Sequence, residues 1–111
     1  MTAQACVILC TCPDEGTANQ IAEALLAQRL AACVNRLAAV ESLFLWRGQS
    51  DRAQEHLLMV KTRTDLYGAA EALIQNLHPY DVPEIVALPI IAGSARYLAW
   101  IDEETARESR S

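Results

Sequence analysis

Among the metal-binding side-chain types of this 111-residue chain, four residues stand out: Cys10 and Cys12 in "ILCTCPDE", and His78 and Glu84 in "HPYDVPEI". Thiolate and imidazole are good ligands for zinc and for copper in either oxidation state, and a carboxylate can complete the shell. Side chains alternate along a strand, so Cys10 and Cys12 share one face. No CxxC or HxxxH spacing accompanies them. A metal reading therefore depends on whether the fold brings position 10 to position 78. The competing reading is structural: His78 caps the helix before it, and Glu84 bonds to backbone or to a neighbouring subunit.

The segment around His78 also has a mechanical use. Pro79 lacks the N–H that a helix needs and restricts His78 before it, while Pro83 pre-sets an extended backbone for the strand that follows. An enzymatic reading has less to stand on. There is no nucleophile elbow, phosphate-cradling glycine loop or HExxH, and Gly16, Gly48, Gly68 and Gly93 stand far apart, as turn or packing residues do. Asp81 and Glu84 form a carboxylate pair, but paired acids in a loop are usually solvated rather than catalytic. The expectation is a protein that is not an enzyme and needs no organic cofactor.

Composition narrows the partners. Nine Lys and Arg against fourteen Asp and Glu give a net charge of −5, which leaves no basic surplus to neutralise phosphates, so nucleic acid and anionic membranes are excluded as partners. No apolar run approaches the roughly 20 residues a spanning helix requires, and Met1 to Ala5 lacks the basic residues of a secretory signal. A cytoplasmic location follows. Of the four cysteines, at 6, 10, 12 and 33, three crowd into one strand, a poor layout for a disulfide framework, and a reducing compartment would keep them as thiols. Cys6 and Cys33 read as small buried hydrophobes. His56 reads as a surface or interface residue.

The elements that must position these groups are legible from periodicity. "ACVILCT" (Ala5 to Thr11) is a continuous, β-branched apolar run and predicts a central strand. From Asp14 to Leu30, Ile21, Ala22, Leu25, Leu26 and Leu30 recur at helical spacing. A long hairpin follows, with strands over Cys33 to Gly48 and His56 to Arg63 and a turn at Gly48, Gln49, Ser50 and Asp51. Thr64 and Asp65 can cap a second helix with the stripe Leu66, Ala70, Leu73, Ile74 and Leu77, ended by His78 and Pro79. "EIVALPI" (Glu84 to Ile90) predicts the fourth strand, and Ser94 to about Arg107 a last short helix, before a frayed tail.

This βαββαβ order with a C-terminal helix predicts one domain over residues 1–111 of α+β class: a ferredoxin-like split β-α-β sandwich, antiparallel in spatial order 4, 1, 3, 2, with both main helices on one face. Strand 1 ends where the second helix ends and the fourth strand begins. Cys10, Cys12, His78 and Glu84 thus converge at one end of two neighbouring strands. The hairpin is longer than a small four-stranded sheet can cover, and it carries "SLFLW", an aggregation hazard if left as an open edge. The simplest cover is another copy of the chain, with Trp46 and Trp100 either interface anchors or single-subunit core residues.

"LCTCPDEGTANQIAEALLAQRLAACVN", "ESLFLWRG", "VKTR", "HPYDVPEIVALPI" and "YLAWI" fall in the order and at the spacing of the CutA family of divalent-cation tolerance proteins, which the chain resembles over nearly its whole length. The resemblance implies a ferredoxin-like subunit similar to the PII signalling proteins, assembled as a stable homotrimer whose hairpins pack between subunits. It also implies copper or another divalent metal, with ligands that fall by position on Cys10 and His78. The chain departs from the fullest family pattern in having Leu77 where some members have a second histidine, and in Cys12, where relatives commonly have alanine. PII-like trimers hold small ligands between subunits. Trp46, Lys61, Tyr80 and Glu84, which combine aromatic walls with opposite charges, are the candidates for such a cleft. Two further readings follow from this: a signalling module whose hairpin loop around Gly48 meets a protein partner, and a stable trimeric scaffold without a ligand.

Overall fold

A computed structural model describes residues 4–106, so the tail beyond Ala106 and the last predicted residue of the final helix lie outside the described residues. The elements run β1 (Ala5–Cys12), α1 (Glu15–Ala27), β2 (Cys33–Trp46), β3 (Gln49–Arg63), α2 (Tyr67–Leu77), β4 (Val86–Pro89) and α3 (Ala95–Glu104). The strands form one antiparallel sheet in the order β2-β3-β1-β4, the predicted order. The fold is α+β and ferredoxin-like.

Directly opposed residues of an antiparallel pair share a face. Cys6, Ile8 and Cys10 of β1 stand opposite Thr62, Val60 and Leu58 of β3, all fully buried. Ala18, Ile21 and Leu25 of α1 and Ala70 and Ile74 of α2 join them in one continuous core, so both helices lie on the same sheet face. The other face carries Val7, Leu9, Leu57 and Met59, which stay partly exposed. The three central residues of the opening motif, Cys10, Thr11 and Cys12, therefore divide between the two faces at the end of β1.

The ends of the elements follow from local chemistry. Asp14 caps α1 by accepting from the Thr17 amide at 2.8 Å. The helix stops at Ala27, three residues before the predicted Leu30, because Arg29 turns into the left-handed region (φ 55) and the Leu30 amide closes back on the Leu25 carbonyl at 2.9 Å. Thr64 and Asp65 form a 3-10 turn with Leu66, and α2 begins after it without the expected side-chain cap. His78 does end α2, its amide reaching the Ile74 carbonyl. Ser94 caps α3 through the Tyr97 amide.

The hairpin departs most from the sequence expectation. Its turn is two residues, Arg47 (φ 53) and Gly48 (φ 80), and the polar stretch from Gln49 onward pairs with Trp46, Leu45 and Phe44 instead of forming a loop. Positive φ at both central residues matches the strand twist, so the ladder continues past the tip whatever the polarity of the side chains. Lower down, two residues, Ala38 and Ala39, stand opposite His56 alone between the Leu37–Leu57 and Val40–Glu55 pairs. Ala39 takes φ 62 there, a bulge that increases the strand's twist. β4 pairs only over Val86–Pro89, shorter than the predicted Glu84 to Ile90, although the Ile90 amide still reaches the Ala5 carbonyl at 3.0 Å.

Candidate metal centre

The convergence argued from topology is present in the structure. The Cys10 and Cys12 sulfurs and a ring nitrogen of His78 lie within 4.8 Å of one another, all three residues buried. β1 delivers the two sulfurs to one face, and the C-terminal stop of α2 swings the imidazole over the strand end. Cys10 and Cys12 are fully buried and His78 is 8% exposed. All four cysteines are free thiols.

The imidazole is held at both nitrogens. Its Nδ1 accepts from the Tyr80 amide at 3.2 Å, which requires a lone pair there and so assigns the ring proton to Nε2. Nε2 then donates to the Thr11 carbonyl at 2.8 Å. His78 is a neutral Nε2–H tautomer tying the loop after α2 to the end of β1. The Tyr80 ring lies 4.7 Å from it, centroid to centroid.

The two thiols interact electrostatically as a pair. Sharing a hydrogen bond with Cys10 lowers Cys12 below the ordinary thiol range, against the opposing effect of burial. The same bond, then burial and the charges of Cys12, Glu84 and Glu55, pushes Cys10 far up. The two thiols are thus pushed in opposite directions by the same contact. For a soft metal ion the two sulfurs fit, shielded from water and close enough for one ion to bind both through metal–thiolate bonds of about 2.3 Å, with the imidazole packed beside them.

Glu84 does not join the three donors. It is exposed and lines the rim of an open cavity of about 730 Å³, walled by Phe44, Trp46, Glu55, Tyr80 and Asp81 and bordered by Thr11. Trp46 carries the Arg47 guanidinium over its ring at 5.6 Å. Lys61 stands at the other end of β3, opposite Val7 and Cys33 and hydrogen-bonded to Asn35, away from this cavity. His56 stands opposite Cys12 across the sheet, but its Nδ1 lies 3.1 Å from the Arg36 guanidinium and outside the donor cluster. Trp100 is 37% exposed and tilts against Tyr97.

Glu55 is the residue that sequence reasoning misses. It is 6% exposed, and the Tyr80 hydroxyl donates to it at 2.7 Å. Burial, followed by this bond to a carboxylate, raises the Tyr80 phenol. A third strand that starts only at His56 leaves Glu55 as a loop acid. Extending the strand's alternation back through Ala53, Glu55 and Leu57 would place a carboxylate on an otherwise apolar face.

Residues 6–104 match the family model described as CutA1 divalent ion tolerance protein. The chain is 48% identical over 99 residues to the divalent-cation tolerance protein CutA of Thermus thermophilus, covering 89% of this chain and 96% of that one. It is 40% identical over 101 residues to the mouse protein CutA, covering 91% of this chain but 57% of the longer mouse protein. The crystal structure of CutA from Xylella fastidiosa superposes with a TM-score of 0.90 at 36% identity, over 94% of this chain and all of that one.

Proposed function

The chain belongs to the CutA1 divalent ion tolerance family, and from that membership we propose that it is a single-domain, non-enzymatic, cytoplasmic homotrimer that binds metal ions, copper above all, and so contributes to divalent-cation tolerance. The observation that carries this reading is the buried cluster of Cys10, Cys12 and His78 within 4.8 Å. Soft donors gathered in a dry pocket, with four free thiols that need a reducing compartment, suit copper in its reduced state. Glu84 on the nearby rim supplies negative charge to an arriving cation. In support of the trimer, the hairpin exposes Leu43 and Leu45 at 66% and 75%, and Ile91 beyond β4 reaches 93%. A run of large apolar side chains this exposed is the mark of an association surface. No helix among the described residues is long and apolar enough to cross a membrane.

The test is Cu(I) binding by the reduced, metal-free protein beside its Cys10→Ser variant, with oligomer mass followed on each. The proposal expects saturable binding that Cys10→Ser abolishes while the mass is unchanged. Unchanged binding in the variant assigns Cys10 a structural role and removes the site.

A second reading, a PII-like signalling module, draws on the cavity of about 730 Å³, whose Trp46, Tyr80 and Glu84 would face a small metabolite at a subunit boundary. Lys61 belongs to such a cleft only if another copy brings it there. A metabolite that protects the Gly48 turn from proteolysis would favour this reading over the first.

A further inference from the structure

Within this pocket the three donors are not equivalent. Both nitrogens of His78 already have backbone partners, the Tyr80 amide at 3.2 Å and the Thr11 carbonyl at 2.8 Å. Turning the ring toward an ion would orphan one of these groups in a place where the side chain is 8% exposed. The sulfurs have no such commitment. Apart from each other, their one polar contact is a weak approach of Cys10 Sγ to the Thr11 carbonyl at 3.9 Å.

We infer that the ion-holding part of the pocket is a two-sulfur site, Cys10 and Cys12, suited to a soft monovalent d10 cation such as Cu(I), with His78 fastened to the backbone and outside the coordination shell. This rests on the metal-binding reading above and assigns it an oxidation state and a ligand set. Coordination number decides between the candidate ions. A zinc ion asks for four ligands, and catalytic zinc sites with three protein ligands fill the fourth place with water. Here the two sulfurs are fully buried, which closes that place to water, and no carboxylate of the described residues joins the cluster. Charge alone favours a divalent ion between two thiolates, but the described residues of the chain do not complete its shell. A monovalent d10 ion is satisfied by two sulfurs, and sulfurs no more than 4.8 Å apart are close enough for one ion to bind both through bonds of about 2.3 Å. Cys12 is then as necessary as Cys10.

The experiment loads the full chain, reduced and metal-free, with Cu(I) under anaerobic conditions against a chromophoric Cu(I) chelator, and records the copper X-ray absorption of the loaded protein. Wild type should show two sulfur neighbours and no nitrogen neighbour, and Cys12→Ala should weaken Cu(I) binding by at least about 100-fold. Should the alanine variant unfold, Cys12→Ser, close in volume, takes its place. A nitrogen neighbour in wild type, or binding within about threefold of wild type after loss of Cys12, overturns the two-sulfur assignment and leaves copper binding standing. Absence of saturable Cu(I) binding by wild type overturns the functional reading beneath it as well.

Discussion

His78 shows how a residue chosen for its chemistry can be spent on structure. Its ring joins the Thr11 carbonyl to the Tyr80 amide, so its removal takes the ring partner from one buried and one part-buried polar group. Each such group costs about 1–3 kcal/mol. His78→Ala is therefore expected to destabilise the metal-free protein by about 2 kcal/mol or more, read as a lower midpoint in denaturant unfolding. A variant as stable as wild type would contradict the tie. Asp14 acts on a smaller scale. The amide and hydroxyl of Thr17 hold its carboxylate below the usual range, so the folded state favours the ionised form. With the folded pKa depressed, the stabilisation is present above the unfolded carboxylate value and is lost as pH falls through the folded one. Asp14→Ala should lower the thermal midpoint near neutral pH, and the gap to wild type should close in acid. A gap independent of pH would mean that Asp14 caps nothing. The proximity of Cys10, Cys12 and His78 is legible in the sequence because topology alone brings a strand end to a helix end. The engagement of both His78 nitrogens is not, since it depends on where the Tyr80 backbone turns.

At the scale of the element, the β2–β3 hairpin separates what periodicity can and cannot report. Apolar runs locate β1, the lower half of β3 and both main helices, because each must bury one face. The stretch from Gln49 to Gln54 has no apolar face and lies outside the expected strands, with the turn expected at Gly48 to Asp51, yet it is strand, propagated by the Arg47–Gly48 geometry rather than by burial. The Ala38–Ala39 bulge leaves no signal at all, two alanines being compatible with almost any backbone. The tip geometry makes a prediction of its own. A Cβ at Gly48 would meet nothing within 4 Å, so the cost of replacing it comes from φ 80 alone. Gly48→Ala should cost about 1 kcal/mol and Gly48→Asn distinctly less, since asparagine tolerates the left-handed region. Equal costs in equilibrium unfolding would refute the turn assignment.

At the scale of the molecule, the chain is more extended than a compact domain of its length. Its Cα radius of gyration is 14.8 Å, against about 13 Å for a compact domain of this length. The excess is the hairpin, whose Leu43, Leu45 and Trp46 point apolar surface outward. If another copy covers that surface, a charge there must be buried on assembly at a cost of several kcal/mol. Leu45→Asp should then shift the light-scattering mass from three chains toward one, whereas a solvent-exposed Leu45 would leave it unchanged. The exposed apolar strip of the hairpin is legible in the run "SLFLW" itself, since Leu43, Phe44, Leu45 and Trp46 all stay exposed. The carboxylate wall of the adjoining cavity is not, as it is assembled from a hairpin and a loop distant in sequence.

Whether an assembled protein holds copper in this buried thiol pocket is tested most directly by one calorimetric titration. The reduced, metal-free chain is titrated with buffered Cu(I) in the absence of oxygen, and the oligomer mass is measured on the same sample. Saturation at no more than one ion per chain, by a particle of three chains, is the expected result. An intact trimer that takes up no copper saturably would contradict it.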